Sequence, residues 1–393
     1  MIDNRRCEWS NRSVMRITKT IILAPLAPLA ALLLIWGLGA CSTDTRSDAV
    51  PSSDNVVNVY NWAEYIAPDT LETFEAEYGI KVNYDVYDST GIVDVKLLTG
   101  KSGYDVIVHS NQYSSRLAPI GVFEKLDMSK LPNASHLDPE MMAQIDIYEH
   151  VRGYTVPYHW GTTGIAWNEE LVHERLPNHP MESADVLFDP EIASKLADCG
   201  ISMLDGPTDV IGFALAYLGR NPSAVDDENL AAAEELLAGV RPYIRYFSND
   251  KMISDLPNKE VCVAQSWSGD FAQAATRARE AGIDIDLRYA IAKEGSALWI
   301  DGFYIPADAP HADNAYLFID FMLRPDIAAA NANTVYYANT NRSSWEFTRP
   351  EILNNPAIYP DAETWQRMYV IEVADPKRLR ARTRTFARIK SGL

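Results

Sequence analysis

Val261-Cys262-Val263-Ala264-Gln265-Ser266-Trp267-Ser268-Gly269-Asp270-Phe271-Ala272-Gln273-Ala274-Ala275 is the stretch on which the reading of this 393-residue chain turns. The apolar run Val261 to Ala264 has the length and composition of a buried strand, and Phe271 to Ala275 reads as a helix start. Between them, Ser266 to Asp270 puts an indole and a carboxylate three residues apart on the turn leaving a strand. An indole face attracts a cation, and a carboxylate accepts ammonium hydrogens, so the pair suits an organic cation. An Asp capping a helix beside a core Trp fits the same letters. The stretch alone does not separate the two readings.

The pattern repeats outward. Val56 to Tyr60 reads as a strand. Pro68-Asp69-Thr70 opens a helix with apolar Leu71, Phe74 and Tyr78, closed by Gly79. Ile80 to Val86 and Tyr104 to Val108 are further strands around a short helix at Ile92 to Leu98. Strands alternating with helices predict a mainly parallel α/β sheet. Tyr154 to Asn168 breaks the rhythm. It is rich in β-formers, interrupted by Pro and Gly, and reads as a strand crossing between two lobes. The alternation then restarts with helix 191–196, strand 201–204, helix 209–218 and helix 227–238 closed by Gly239. Strands 285–291 and 297–305, helix 312–323 and a second crossing at Val335 to Asn339 complete it. The basic end from Lys377 to Lys390 reads as a solvated helix face. A body of about 340 residues exceeds one typical core, so two domains are expected.

In open α/β sheets, ligands bind beyond the carboxyl ends of strands. Four such exits carry aromatic or polar side chains: Trp62, Ser110, Asp209, and Trp267 with Asp270. Leu298-Trp299-Ile300-Asp301-Gly302 repeats the aromatic-plus-carboxylate pairing.

The N-terminus reads as an export signal. Arg5, Arg6, Arg12, Arg16 and Lys19 precede the apolar run Ile21 to Trp36, and Gly37-Leu38-Gly39-Ala40-Cys41 follows. Met15 is an alternative start. An uncleaved transmembrane anchor is the other reading of this run, but Pro25, Pro28 and the placed Cys favour cleavage. Residues 42–54 read as a flexible tether. Of 35 Lys and Arg and 54 Asp and Glu, five and two lie in 1–40, leaving 30 basic against 52 acidic residues, net −22. So acidic a body argues against nucleic acid or anionic lipid as partner. Cys199 and Cys262 each flank a strand-like run, and in an oxidising compartment they suit a disulfide, two separate buried thiols being the alternative. The seven histidines show no metal-ligand spacing.

Taken in order, Tyr60-Asn61-Trp62-Ala63-Glu64-Tyr65-Ile66, Gly103-Tyr104-Asp105-Val106-Ile107-Val108, Trp160-Gly161-Thr162-Thr163-Gly164-Ile165, Trp267-Ser268-Gly269-Asp270, Trp299-Ile300-Asp301 and Val335-Tyr336-Tyr337-Ala338-Asn339 resemble the periplasmic polyamine-binding proteins. These are the putrescine/spermidine receptors of ABC importers, in extracellular solute-binding protein family 1. The resemblance runs from about residue 56 to the C-terminus. It implies a two-lobed class II binding fold, each lobe a mainly parallel sheet flanked by helices, that closes on a linear polyamine and docks on a membrane permease. Lobe 1 would be 55–157 with about 281–333, and lobe 2 about 163–275 with 339–393, after a signal at 1–40 and a tether at 41–54.

The resemblance also implies residue roles. Trp62 and Trp267 would be opposing aromatic walls, and Tyr65 would bond one end of the ligand. Ser110 would line the first lobe. Asp209, Asp270 and Asp301 would meet ammonium groups, Trp299 would add an aromatic surface, and Tyr337 would pack near the hinge. Cys41, in Leu38-Gly39-Ala40-Cys41, resembles the lipidated Cys of a lipobox, which implies a lipid-anchored periplasmic protein. No cofactor, no metal and no catalysis are expected, and a monomer is. Ala63 stands where the family often has Ser or Thr, Gln112 where it has small residues or Tyr, and Gly206 where one subgroup has Asp. These departures leave putrescine against spermidine open. Three rivals remain: ferric ligation by Tyr336-Tyr337, a glycosidase using Asp270 and Asp301, and a polyamine sensor without transport.

Overall fold

The computed structural model describes residues 55–148, 150–372 and 375–392. The expected signal at 1–40, the tether at 41–54 and Cys41 lie outside them. Among the described residues no helix is long and apolar enough to cross a membrane.

Strands β1 (Val56–Trp62), β2 (Lys81–Tyr87) and β3 (Val106–Ser110) alternate with helices Pro68–Tyr78 and Thr90–Thr99. β1 pairs in parallel with both β2 and β3. Pro at the first helical position and Gly79 at φ 66° bound the first helix, as a fixed φ at the start and a left-handed cap at the end favour. The long strand β4 (Val156–Asn168) follows. Then come β5 (Ile201–Met203), β6 (Ile244–Phe247), β7 (Val263–Trp267), β8 (Leu287–Ala290), β9 (Ser296–Tyr304), β10 (Ala338–Asn339) and β11 (Met368–Tyr369). The sheet order is β2-β1-β3-β9-β4-β7-β5-β6. A parallel block lies at each end, β2-β1-β3 and β7-β5-β6, and antiparallel β9 and β4 join them.

β4 serves both halves. Its residues Val156 to Thr162 pair with β9, and Thr163 to Trp167 pair with β7. All 13 of its positions are buried, which accounts for a composition that suits neither an amphipathic strand nor a helix. β10 adds a second crossing on His159 and Trp160. Each half has its own core: Phe74, Phe303, Phe318 and Phe321 in the first, Phe188, Leu196, Phe213 and Leu215 in the second. The Cys199–Cys262 disulfide, with Cα atoms 5.5 Å apart, ties the approaches to the paired strands β5 and β7.

Several expectations need correction. β8 pairs with Ile165 to Asn168 of β4, in the second half, so the chain returns to the first half between β8 and β9 rather than near 281. Gly239 lies inside the Asp227–Val240 helix, which ends one residue beyond it at the buried Val240. β1 runs on through Trp62, and β3 through Ser110, because both stay hydrogen-bonded to neighbours. The basic C-terminal helix, Pro376–Ser391, is not merely solvated. Arg382, Thr385, Phe386 and Ile389 form a buried stripe along it at helical spacing.

Candidate ligand-binding cleft

β7 passes directly into the helix Ser268–Glu280, with Trp267 as the residue between them. Asp270 does not cap this helix. Its Oδ1 accepts a 2.6 Å hydrogen bond from the Tyr337 hydroxyl. That contact needs Gly269: a Cβ there would lie 2.3 Å from the Tyr337 ring. Gly161 on β4 plays the same part for Trp299, whose indole would meet a Cβ at 2.4 Å. Two glycines of the sequence thus let two rings approach the backbone.

Asp209 sits in the first turn of the Pro207–Tyr217 helix, and Trp267 Nε1 donates to its Oδ1 at 3.4 Å. Asp301, 5% exposed on β9, lies opposite Ser110 of β3 in the antiparallel register. Tyr65 and Trp299 both meet Tyr337 edge-on, at 5.3 and 5.1 Å between ring centroids. Trp62 packs on Tyr87 at 4.3 Å. Trp62, Trp267 and Trp299 all pack against the cluster that holds Tyr65 and Tyr337. Asp270, Tyr65 and Trp299 thus meet around Tyr337, while Asp209 with Trp267, Asp301 opposite Ser110, and Trp62 on Tyr87 form separate contacts. The buried Nε1 atoms of Trp62 and Trp299 have no hydrogen-bond partner among the described residues.

The electrostatics follow from burial. Desolvation pushes Asp270 up to about 7, the Tyr337 hydroxyl offsets part of the rise, and the nearby Glu64 and Asp250 add to it. Desolvation likewise pushes Asp301 up to about 7. The Tyr65 hydroxyl offsets some of this, though it lies near Asp301 without a hydrogen bond of normal geometry. Asp209 rises to about 6 by desolvation, against the Trp267 hydrogen bond and the charge of Arg382. None of the three carboxylates has an ion-pair partner in contact among the described residues. Such a carboxylate favours the neutral acid until a cation arrives.

Sequence reasoning missed several neighbours. Glu64, at a left-handed φ of 54° after β1, pairs with Arg277 of the helix Ser268–Glu280. The signal was available: Asp270, Gln273 and Arg277 recur at three- and four-residue spacing on one helix face, and Arg277 also bonds Gln273. Tyr87, which packs on Trp62, comes from β2 with no local mark in the sequence. The adjacent phenols of Tyr336 and Tyr337 diverge. The first accepts from Arg349 at 3.3 Å and the second donates to Asp270, so they do not converge on one ion.

A family model described as bacterial extracellular solute-binding protein matches residues 69–360. The chain belongs to this family. Solute-binding proteins of this kind are binding components, not an enzyme class. The putrescine-binding periplasmic protein SpuD of Pseudomonas aeruginosa is 43% identical over 345 residues, covering 88% of this chain and 94% of its own length. The putrescine-binding periplasmic protein PotF of Escherichia coli is 41% identical over 343 residues, covering 87% and 93%. Among solved structures, the spermidine/putrescine ABC transporter substrate-binding protein PotD of Streptococcus pneumoniae is similar at TM-score 0.72 and 29% identity, covering 86% of this chain and 99% of its own. The two-lobed periplasmic-binding-protein fold thus holds for this solute-binding protein.

Proposed function

We propose that this solute-binding protein captures a linear polyamine of the putrescine/spermidine type and delivers it to an ABC permease. The observation that carries the reading is the set of three carboxylates, Asp209, Asp270 and Asp301, each buried against indole or phenol and none ion-paired among the described residues. A polyamine is the complementary object: ammonium charges separated by methylenes. Its stem would lie against Trp62, Trp267 and Trp299, where each buried methylene contributes about 0.8 kcal/mol. The ammoniums would restore the carboxylates to their charged forms and gain charge-assisted hydrogen bonds. Micromolar affinity needs only about −8 kcal/mol net, within reach of four methylenes and two such pairs. Closure of the lobes about β4 and β10 would exclude water from these contacts.

The cleft's polar groups serve this reading and not phenolate ligation of a metal, since the two phenols diverge. The protein would act as a monomer, in the periplasm, held to a membrane through a lipid on Cys41. Cys41→Ser would then shift it from the membrane fraction to the soluble fraction. The function itself is tested by titration calorimetry of the purified protein with putrescine, cadaverine, spermidine and spermine at neutral pH. At least one should bind with micromolar or better affinity. Absence of heat with all four would sink the polyamine reading.

A further inference from the structure

Trp160-Gly161-Thr162-Thr163-Gly164-Ile165 spans the point where β4 changes partner. Thr162 is the last residue paired with β9, opposite Leu298, and Thr163 the first paired with β7, opposite Trp267. Two side chains hold the peptide groups of Thr162 there. Its N–H donates to Ser268 Oγ at 3.3 Å, and its carbonyl accepts from the Tyr289 hydroxyl at 3.0 Å. With its one proton so given, the Tyr289 hydroxyl accepts from Thr162 Oγ1, also at 3.0 Å. Tyr289 stands on β8 opposite Ala166. Side chains alternate along a strand, so Ala166, Gly164 and Thr162 share one face, and the ring reaches Thr162 by lying across it. That path needs glycine at 164: a Cβ there would lie 2.6 Å from the ring and its hydroxyl.

Thr162 is also where the carriers of two cleft residues meet. Ser268 and Phe271 flank Asp270 in the first turn of the helix Ser268–Glu280. Ser268 takes the Thr162 N–H, and the Phe271 ring stacks on Tyr289, with centroids 5.3 Å apart and planes inclined by 28°. The turn that carries Asp270 is thus pinned on both sides to one strand position. The neighbouring Gly161 is the seat of the Trp299 indole. Tyr289 reaches this junction from behind. Phe271, Ala275 and Arg279 recur on the helix face turned away from Asp270, Gln273 and Arg277. With Tyr289 they line a groove of about 530 Å³, to which none of the nine expected cleft residues contributes.

We propose that Tyr289 is a positioning residue for ligand capture: by holding Thr162 and stacking on Phe271, it fixes the Asp270 carboxylate relative to the Trp299 indole. This rests on the polyamine reading of the cleft. An ammonium needs the carboxylate at hydrogen-bond distance while its own stem lies on the indole. A shift of either carrier therefore costs affinity even with every ligand-touching group still present. Tyr289→Phe keeps the stack and the packing over Gly164 and removes only the grip on Thr162.

The test is titration calorimetry of the purified protein with putrescine and spermidine at neutral pH, beside thermal melts of the unliganded protein. Tyr289→Phe should raise the Kd of the tighter ligand by roughly fivefold or more. In an Asp270→Asn background the same substitution should change Kd by less than about twofold, because no carboxylate is left to place. Destabilisation alone does not produce that difference, since it lowers Tm and leaves the two backgrounds alike. Ser268→Ala, which removes the other hold on Thr162, should weaken binding in the same Asp270-dependent way. A folded Tyr289→Phe protein with wild-type affinity, or with an equal deficit in both backgrounds, overturns the proposal. Should that variant not fold, a Ser268→Ala protein with wild-type affinity overturns it instead. A wild type that binds neither ligand overturns the polyamine reading, and this proposal with it.

Discussion

Burial holds the carboxyls of Asp209, Asp270 and Asp301 above their ordinary range, to about 6, 7 and 7. An ammonium placed beside them would reverse the shift, so binding should expel protons. Affinity should rise with pH through the window from about 6 to 8 and fall below it. Calorimetry at pH 7 in two buffers of different ionisation enthalpy would detect the released protons, and none released would mean the carboxylates are already charged. The sign for stability is opposite. A carboxyl whose folded pKa exceeds its unfolded value, about 3.9, costs stability as pH rises from that value to the folded one. The unliganded protein should therefore lose stability from pH 5 to about pH 7 and level off above it, and a bound diamine should raise its Tm more at pH 8 than at pH 5. Asp270→Asn should weaken diamine binding by more than tenfold, with no loss of unliganded stability. Tyr337→Phe removes the hydroxyl that steadies the Asp270 charge, so its binding deficit should be largest near pH 6. The aromatic-plus-carboxylate spacing was visible in the sequence, but only the family resemblance gave it a ligand role. The partner of Asp270 was not visible, because Tyr337 lies 67 residues away and meets it only through the fold.

At the level of elements, strand–helix alternation carried most of the reading, since parallel blocks buried on both faces leave apolar runs bounded by Gly and Pro. The failures have a common cause. Glycine is a poor helix former, yet Gly239 stays helical because burial of Leu237 and Val240 outweighs its cost of about 1 kcal/mol. The C-terminal helix looked solvated because it is rich in Arg and Lys, and one buried Arg382 among them leaves no compositional trace. β8 pairs with the second-half end of β4, which no local feature of its sequence foretells, because nothing local names a strand's partner. The helix Ser268–Glu280 offers the sharpest test. Gly269→Ala would drive a methyl into the Tyr337 ring, at 2.3 Å from where the ring stands. Overpacking of this kind costs roughly 1–3 kcal/mol. The ring must shift, so diamine affinity should fall at least tenfold in titration calorimetry while the far-ultraviolet circular dichroism stays native. Retained affinity would show that the Tyr337–Asp270 contact is dispensable.

Across the whole molecule, two links between distant segments differ in kind. The Glu64–Arg277 pair joins the loop after β1 to the helix after β7, with both side chains about half exposed. Exposed pairs contribute roughly 0.2–1 kcal/mol and weaken with salt. Arg277→Ala should therefore speed diamine release a few-fold at low salt in stopped-flow measurements, the difference vanishing at high salt. The Cys199–Cys262 bridge closes a loop of sequence separation 63 inside one half. Its removal by paired Ser substitutions should cost about 2–4 kcal/mol of stability, read by urea titration, and leave the ligand ranking untouched. The strand β4 has a wider consequence. Each of its 13 residues is buried, and its two ends are hydrogen-bonded into different halves. Neither half can therefore be excised as an autonomous folding unit. A gene cut on either side of this strand would leave one fragment with an open sheet edge, and the intact chain should melt in a single cooperative endotherm, its most slowly exchanging amides lying along β4.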